Sequence, residues 1–469
     1  MSSIPQNRQL IKNLAELIEA HRVIFNQERV YQRVKALMFA LLFGFGRQTL
    51  TQLLMTLGLT ESDWSSWYRI FSAGRFDSMK ANEILIEEIL NEIPAGDLIV
   101  VGGDGTQTAR TSRKIEGTGF LRCLRTPPFK IGIHQAQRWF NFSLMLPLVN
   151  GFSRALPILW LPCFTAKSHR KQTIAYKEWE TAVVSLNWLR DQLKRLGRAT
   201  QSILMLGDGS YDNLKLWKHL PKAVILLARS AKNRALYEMP DKQAHKNRKY
   251  GDRVRTPQQI WQERKGWLRT RLTIRGRKRR LRYKVKGPFL RKGAPDCPLF
   301  LIVVGGQSYS KYGRKKHRKP MPYLVNAIQN DLGEWILPLP IETLLQWAWQ
   351  RWELEVCHRE LKSNLGLGHM QGWNPNTAVT FVQWVAWSYS IFLLAGYRTW
   401  GLVDAPPVPT RWWRGSQRWS FNTLWRSYRA TLWTSHDFRP LLALTTNDWA
   451  RKESLFQGFK NSIIGSARL

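Results

Sequence analysis

Apolar residues recur at helical spacing from the start of the chain. Leu10, Leu14, Leu17 and Ile18 form one stripe, and a longer apolar run over residues 30–57 is broken by Gly44 and Gly46. The pattern predicts a short amphipathic helix over residues 48–59, then the capping residues Thr60-Glu-Ser-Asp, then a helix over residues 64–70. Residues 7–95 therefore read as entirely helical. After Asp97 the period changes. Aliphatic and β-branched runs at residues 98–101, 130–147, 155–164, 202–206 and 223–227 predict strands, with a helix over residues 178–196 between them. Strands alternating with helices indicate an α/β layer built on a mixed sheet. Apolar strands resume at residues 299–304 and 323–327, and a single strong helix is predicted over 341–364, ended by Gly366 and Gly368. Residues 379–396 carry no charge over a length at the lower limit for crossing a bilayer. Thr380, Gln383, Ser388 and Ser390 lie within them, which favours a buried core helix over a membrane span.

Charge changes this picture most. The 469 residues include 72 Lys and Arg against 33 Asp and Glu, a formal net charge of +39. Hydrophobic content of 44% with 12% aromatic residues excludes a largely disordered chain. The excess charge thus belongs to a folded protein that a polyanion neutralises, with nucleic acid the first candidate and an anionic membrane surface the weaker one. Residues 231–320 hold 28 of the cations and only 5 of the acids. Within them the run 275–286, RGRKRRLRYKVK, alternates basic with apolar residues near its end, as a solvated β-ribbon does. Lys278, Arg279, Arg280 and Arg282 are its candidate contacts to DNA phosphates.

Other features narrow the class. Cys123, Cys163, Cys297 and Cys357 are too scattered for a disulfide framework or a Cys-based zinc site, and they fit a reducing compartment. Residues 1–30 lack the apolar stretch of an export signal. The two short helices after residue 48, with Arg47, Arg69 and Arg75 beside them, match either a helix-turn-helix reader of DNA or an ordinary bundle. The tryptophans after Gly401, interleaved with arginine, read as core residues with snorkelling Arg rather than as base-stacking platforms.

Acidic residues are scarce, so two of them stand out. Asp104 follows the apolar run LIVV in Gly-Gly-Asp-Gly-Thr, and Asp208 follows ILML in Gly-Asp-Gly-Ser-Tyr-Asp. Each reads as an aspartate at the C-terminal end of a short strand, with glycines that let another group come close. Asp212 is the rival to Asp208, but it does not directly follow the strand. The third carboxylate is Glu355 on the predicted 341–364 helix. Arg351, Glu355 and Lys362 fall within about 40° of one another at 100° per residue, with Arg359 beside them. Trp349, Leu354, Val356 and Leu361 face the other way, as packing residues do. Three carboxylates from two strand ends and a helix can hold two hard divalent cations, Mg²⁺ or Mn²⁺, about 3.5–4 Å apart, the clamp that in-line phosphoryl transfer uses. His358, three residues past Glu355, could face the same site, but a lone helix histidine beside Cys357 reads first as structural.

The set GGDGT, GDGSYDN and RWELEVCHRELK resembles the DDE transposases of bacterial insertion sequences. The subgroup it resembles has a Tyr-x2-Arg-x3-Glu-x6-Lys signature and a β-rich insertion between the second Asp and the Glu. Arg351, Glu355 and Lys362 fall on that signature, with Ala348 where its Tyr would stand, and Asp104 and Asp208 fall on the aspartate motifs. The resemblance runs over roughly residues 95–370 and implies an RNase H-like α/β core, a mixed sheet flanked by helices. It implies an all-helical DNA-binding domain (1–95), a catalytic core in two parts (96–230 and 331–400), a basic β-rich insertion (231–330) and a Trp/Arg-rich C-terminal region (401–469). It also implies two Mg²⁺ or Mn²⁺ ions on Asp104, Asp208 and Glu355, with Arg351, Lys362 and Arg359 positioning DNA phosphates.

The activity implied is cut-and-paste transposition: metal-dependent cleavage at transposon ends and transfer of their 3′-OH groups to target DNA. The implied partners are double-stranded DNA and a second copy of the chain, forming a homodimer on DNA, with no membrane or small-molecule substrate. The implied setting is the bacterial cytoplasm, at the nucleoid. Two other readings stay open: an RNase H-like nuclease without strand transfer, and a catalytically silent DNA-binding protein derived from a transposase.

Overall fold

A computed structural model describes residues 7–123, 132–164, 174–241, 247–311, 314–404 and 418–434. Five helices open the chain: α1 (Arg8–Ala20), α2 (Glu28–Phe43), α3 (Leu50–Thr56), α4 (Ser65–Ser72) and α5 (Ser78–Leu90). Their starts follow local chemistry. Thr49 accepts the Gln52 amide at the head of α3, Asp63 accepts the Ser65 amide at the head of α4, and Asp77 accepts those of Met79 and Lys80 in α5. The α1 stripe of Leu10, Leu14, Leu17 and Ile18 is buried. Much of what it meets belongs to α11 (Pro375–Trp400), against which α4 and α5 also pack. Among the described residues α11 is the one helix long and apolar enough to cross a membrane, and 83% of its apolar stretch is buried inside the protein. The expected core helix is therefore found.

The sheet begins with β1 (Ile99–Ala109), β2 (Gly119–Arg122), β3 (Ile133–Met145) and β4 (Ala155–Pro162). Helix α6 (Glu178–Arg195), strand β5 (Ile203–Gly207), helix α7 (Leu214–Lys218) and strand β6 (Val224–Arg229) follow. β1 is antiparallel to β3 and parallel to β5, β6 is parallel to β5, and β4 pairs β3. This is an RNase H-like mixed sheet. The basic segment then supplies β7 (Tyr237–Glu238), α8 (Pro257–Gln262), β8 (Leu268–Ile274), β9 (Arg277–Arg291), β10 (Ala294–Val304), β11 (Gln307–Lys311), β12 (Arg314–Arg318) and β13 (Met321–Asn326). β13 pairs with β6, so β7, β9, β10 and β13 extend the same sheet in the order β2-β3-β1-β5-β6-β13-β10-β9-β7, with β8 paired to β9, while β11 and β12 pair apart from it. After β14 (Ile328–Gln329) and β15 (Trp335–Ile336) come α9 (Ile341–Gln350), α10 (Trp352–Ser363), α11 and α12 (Phe421–Thr434).

Two expectations need correction. β1 does not stop near residue 101. Its parallel ladder with β5 ends at Gly102, but its antiparallel ladder with β3 continues to Ala109, so Asp104 lies within the strand, just past the last β5 pair. The helix expected over 341–364 is two helices. They are interrupted at Arg351, where the Leu354 amide bonds the Arg351 carbonyl three residues back (3.1 Å). Of the tail tryptophans, Trp419 is buried and Trp425 half-buried under Arg429. Trp412, Trp413 and Trp449 lie outside the described residues, as do Lys130 and Ile131 of the second predicted strand.

Buried ion pairs seat α10. Glu360 takes Arg154, just before β4 (3.0 Å), and the Tyr389 hydroxyl of α11 (2.7 Å), and Glu353 takes Arg418 and, at 3.7 Å, Arg275. The β8–β9 turn is joined to the same region. The Gly151 carbonyl accepts both the Arg275 amide (2.9 Å) and the Gln350 side chain (3.0 Å). Gly151 has φ +71°, and a Cβ there would stand 2.2 Å from the Thr273 carbonyl, so only glycine fits this joint.

Candidate active site

α10 lies along one face of β1, and the glycines around Asp104 make the approach possible. A Cβ on Gly102 would lie 2.7 Å from Leu354 Cδ1. Two residues along the same face is Asp104, and two further is Thr106, whose hydroxyl accepts Lys362 Nζ at 2.6 Å. Leu354, His358 and Lys362 thus follow the strand as it runs beneath the helix. Gly105 belongs to the opposite face, where a Cβ would lie 2.8 Å from Glu178 Oε1 of α6. Helices therefore close on β1 from both sides.

The carboxylates gather about Asp104. Burial, and next the charge of Asp208, push its carboxyl up to about 7; Arg351 opposes this, while Glu178 and Glu355 add to it. Arg351 reaches both neighbours, with Nη2 donating to Glu355 Oε1 at 2.6 Å and Nη1 at 3.8 Å from Asp104 Oδ2. Burial disfavours the Arg351 charge, but Asp104 and Glu355 outweigh it and raise its pKa further. Asp208 accepts the amide and hydroxyl of Ser210 on one oxygen (2.8 and 2.6 Å), which fixes the turn after β5. Glu178 pairs with Arg138 and accepts the hydroxyl of buried Tyr211 at 2.9 Å. Among the described residues no three His, Cys, Asp or Glu side chains are drawn together tightly enough to hold an ion as they stand. Arg351 bridges Asp104 and Glu355.

Asp212 is otherwise occupied. Its fully buried carboxylate takes Arg234 (2.6 Å), Arg291 (2.6 Å), Ser230 (2.8 Å) and Trp217 (3.1 Å), tying the loop after Asp208 to β9. Arg359 is exposed on α10. An open cleft beside Arg351 is lined by Arg229, Arg318, Tyr323, Trp349, Trp352 and Ala348, the position of the missing signature Tyr.

The basic ribbon is the β8–β9 hairpin. Arg269 stands opposite Arg282, Arg271 opposite Arg280, and Thr273 opposite Lys278. Alternation places these five cations on one face, with Arg282 over the Trp267 ring (4.7 Å). Arg279 differs from its three sequence companions. It stands opposite Leu272 and points to the other face.

Residues 24–288 match the family model of the DDE superfamily endonuclease, which is more than half of the chain. The chain belongs to this family. The match spans Asp104, Asp208 and the basic hairpin, and ends before α9 and α10. Membership makes the protein a nuclease-type enzyme acting on DNA, in a family that generally uses divalent metals. No curated protein matches the sequence.

Sequence reading passed over two polar residues of this cluster, Glu178 and Asn141. Glu178 shows only as an acid at a helix start. Asn141 is a polar residue inside the apolar run WFNFSLM, and that interruption was the available signal. His358, taken as structural, lies beside Asp104, with Nδ1 4.0 Å from Asp104 Oδ2. Burial, then the Lys362 and Arg351 charges, press its pKa down to about 3, so the ring is neutral.

Proposed function

We propose that the chain is a transposase of the insertion-sequence type that cuts and joins DNA at a site formed by Asp104, Asp208 and Glu355. The observation that carries this reading is their convergence: one guanidinium, that of Arg351, reaches both Glu355 (2.6 Å) and Asp104 (3.8 Å), and the Asp208 charge is the largest charged contributor pushing the Asp104 carboxyl upward. Hard carboxylate oxygens of this kind suit Mg²⁺ or Mn²⁺. Asp104, Asp208 and Glu355 would hold two such ions, which polarise the phosphate and activate the attacking oxygen. Arg351 and Lys362 then serve the DNA phosphate, Arg351 by swinging its planar fork from carboxylate to phosphate. Arg359, on the solvent side of α10, serves DNA farther out.

The hairpin face of Arg269, Arg271, Lys278, Arg280 and Arg282 tracks the duplex backbone, with Arg279 less engaged. The helices of residues 1–95 bind transposon ends, and two copies of the chain pair those ends on the target.

The test uses labelled duplexes covering the DNA on either side of the protein's own coding sequence, with Mg²⁺, with Mn²⁺ and with chelator. Glu355→Gln is run in parallel. Metal-dependent cuts that vanish in the variant, followed by joined products, support the proposal. Cuts without joining reduce it to a nuclease. Tight binding with no metal-dependent cutting in either protein makes the chain an architectural DNA binder.

A further inference from the structure

Asn141 and Asp104 are directly opposed in the β1–β3 ladder. Asn141 is fully buried, and its amide Nδ2 donates to His358 Nε2 at 3.1 Å. With Nδ2 toward the ring, Oδ1 accepts the hydroxyl of equally buried Ser143 at 2.8 Å, and Nδ2 also faces Cys357 Sγ at 4.0 Å. A ring nitrogen that accepts cannot also carry the proton, so the neutral imidazole has its hydrogen on Nδ1. That nitrogen is the one 4.0 Å from Asp104 Oδ2, the oxygen Arg351 also approaches. The ring is held edge-on by Trp160, the β4 partner of Asn141 (centroids 5.6 Å apart, planes at 82°).

We infer that His358 is a positioning residue for Asp104, its Nδ1–H aimed at the carboxylate by the chain Ser143–Asn141–His358. It acts across 4.0 Å on the oxygen that Arg351 approaches at 3.8 Å, and so biases the rotation of the carboxylate also when Arg351 turns to the phosphate. A neutral donor does this without neutralising the charge a cation would need. The other tautomer would turn a lone pair toward Asp104 and repel it. The role resembles the outer hydrogen bonds that orient liganding groups in metal sites generally, whose loss costs about 10–100-fold in metal affinity. The inference rests on the reading of Asp104 as a metal-binding carboxylate.

Two substitutions separate positioning from packing. His358→Phe keeps the ring against Trp160 and discards the donor. His358→Asn loses the ring but places an amide N–H near the former Nδ1. The full chain is titrated with Mn²⁺ alone, free ion being read by electron paramagnetic resonance, after circular dichroism shows each variant folded. The expected result is about tenfold weaker binding for the Phe variant and recovery to within about threefold of wild type for the Asn variant. Binding by the Phe variant equal to or tighter than that of the Asn variant overturns the inference. A second measurement needs no substitution: ¹⁵N shifts of the wild-type His358 ring should show Nδ1 protonated and Nε2 bare, and the reverse tautomer also overturns it. Asp104→Asn is titrated alongside. If it binds Mn²⁺ as wild type does, the carboxylate reading fails and takes this inference with it. If it loses Mn²⁺ while the Phe variant does not, the inference alone fails.

Discussion

Arg351 donates to Glu355 at 2.6 Å from one arm of its guanidinium and stands 3.8 Å from Asp104 with the other. An exposed pair one helical turn apart contributes little, and Glu355 is itself more than a third exposed. What matters here is the second contact, because it makes one cation common to two elements, β1 and α10. The interruption between α9 and α10 falls at this residue, so its side chain is carried by a joint and not by the middle of a rigid helix.

Arg351→Gln should therefore separate chemistry from binding. Cutting by the folded protein is expected to fall about 100-fold, with DNA affinity changed by less than about threefold, since in the proposed function the hairpin supplies most phosphate contacts. Single-turnover cleavage beside a binding titration measures both. Equal losses in the two would make Arg351 a general DNA contact.

Asp212 should prove structural. Asp212→Ala leaves Arg291 and the partly exposed Arg234 without their shared carboxylate, at a cost of about 3 kcal/mol. Urea denaturation should show this loss, while metal-dependent cutting per folded molecule stays near wild type. Full stability with abolished cutting would exchange the roles of Asp208 and Asp212.

The hairpin carries a built-in conflict. Arg271 and Arg280 are directly opposed, and like charges so placed destabilise a ladder. Replacing both with Gln should raise stability by about 0.5 kcal/mol. The same change should weaken binding to duplexes of any sequence and reduce the slope of log affinity against log salt by about 2. An unchanged slope would put the DNA path on another surface.

His21 should give the fold an acid-sensitive step. It is buried, it donates from Nδ1 to the Leu17 carbonyl at 2.7 Å, and burial lowers its pKa from 6.5 to about 4. The unfolded chain binds the proton first as pH falls. Stability from this group is complete above pH 6.5 and is lost between 6.5 and 4, by about 3 kcal/mol in all. Denaturation midpoints at neutral pH and near pH 4.5 measure this. His21→Phe, which keeps the edge contact with Trp387, should flatten that difference.

Much of this protein is legible without coordinates, because burial of one face leaves a period in the chain. The N-terminal helices, the strands ending in Gly207 and Arg229, the buried helix after Pro375 and the cationic ribbon all follow from that period or from local charge. Asp104 and Asp208 stand out because each follows an apolar run and has glycine on both sides, in a chain where acids are scarce. The period is silent about what meets a polar group from elsewhere. The continuation of β1 past Gly102 depends on its ladder with β3, and the interruption at Arg351 lies inside an otherwise good helical pattern. Asp212 is withdrawn into the interior by arginines at positions 234 and 291, and Arg279 is turned from its neighbours by strand alternation. Asn141 and His358 are 217 residues apart; the β1–β3 ladder brings the first to Asp104, and the seating of α10 brings the second. Local propensity and charge thus determined which elements form and which acids are candidates. Long-range hydrogen bonds and ion pairs, which depend on three-dimensional neighbours, decided which of those groups face one another.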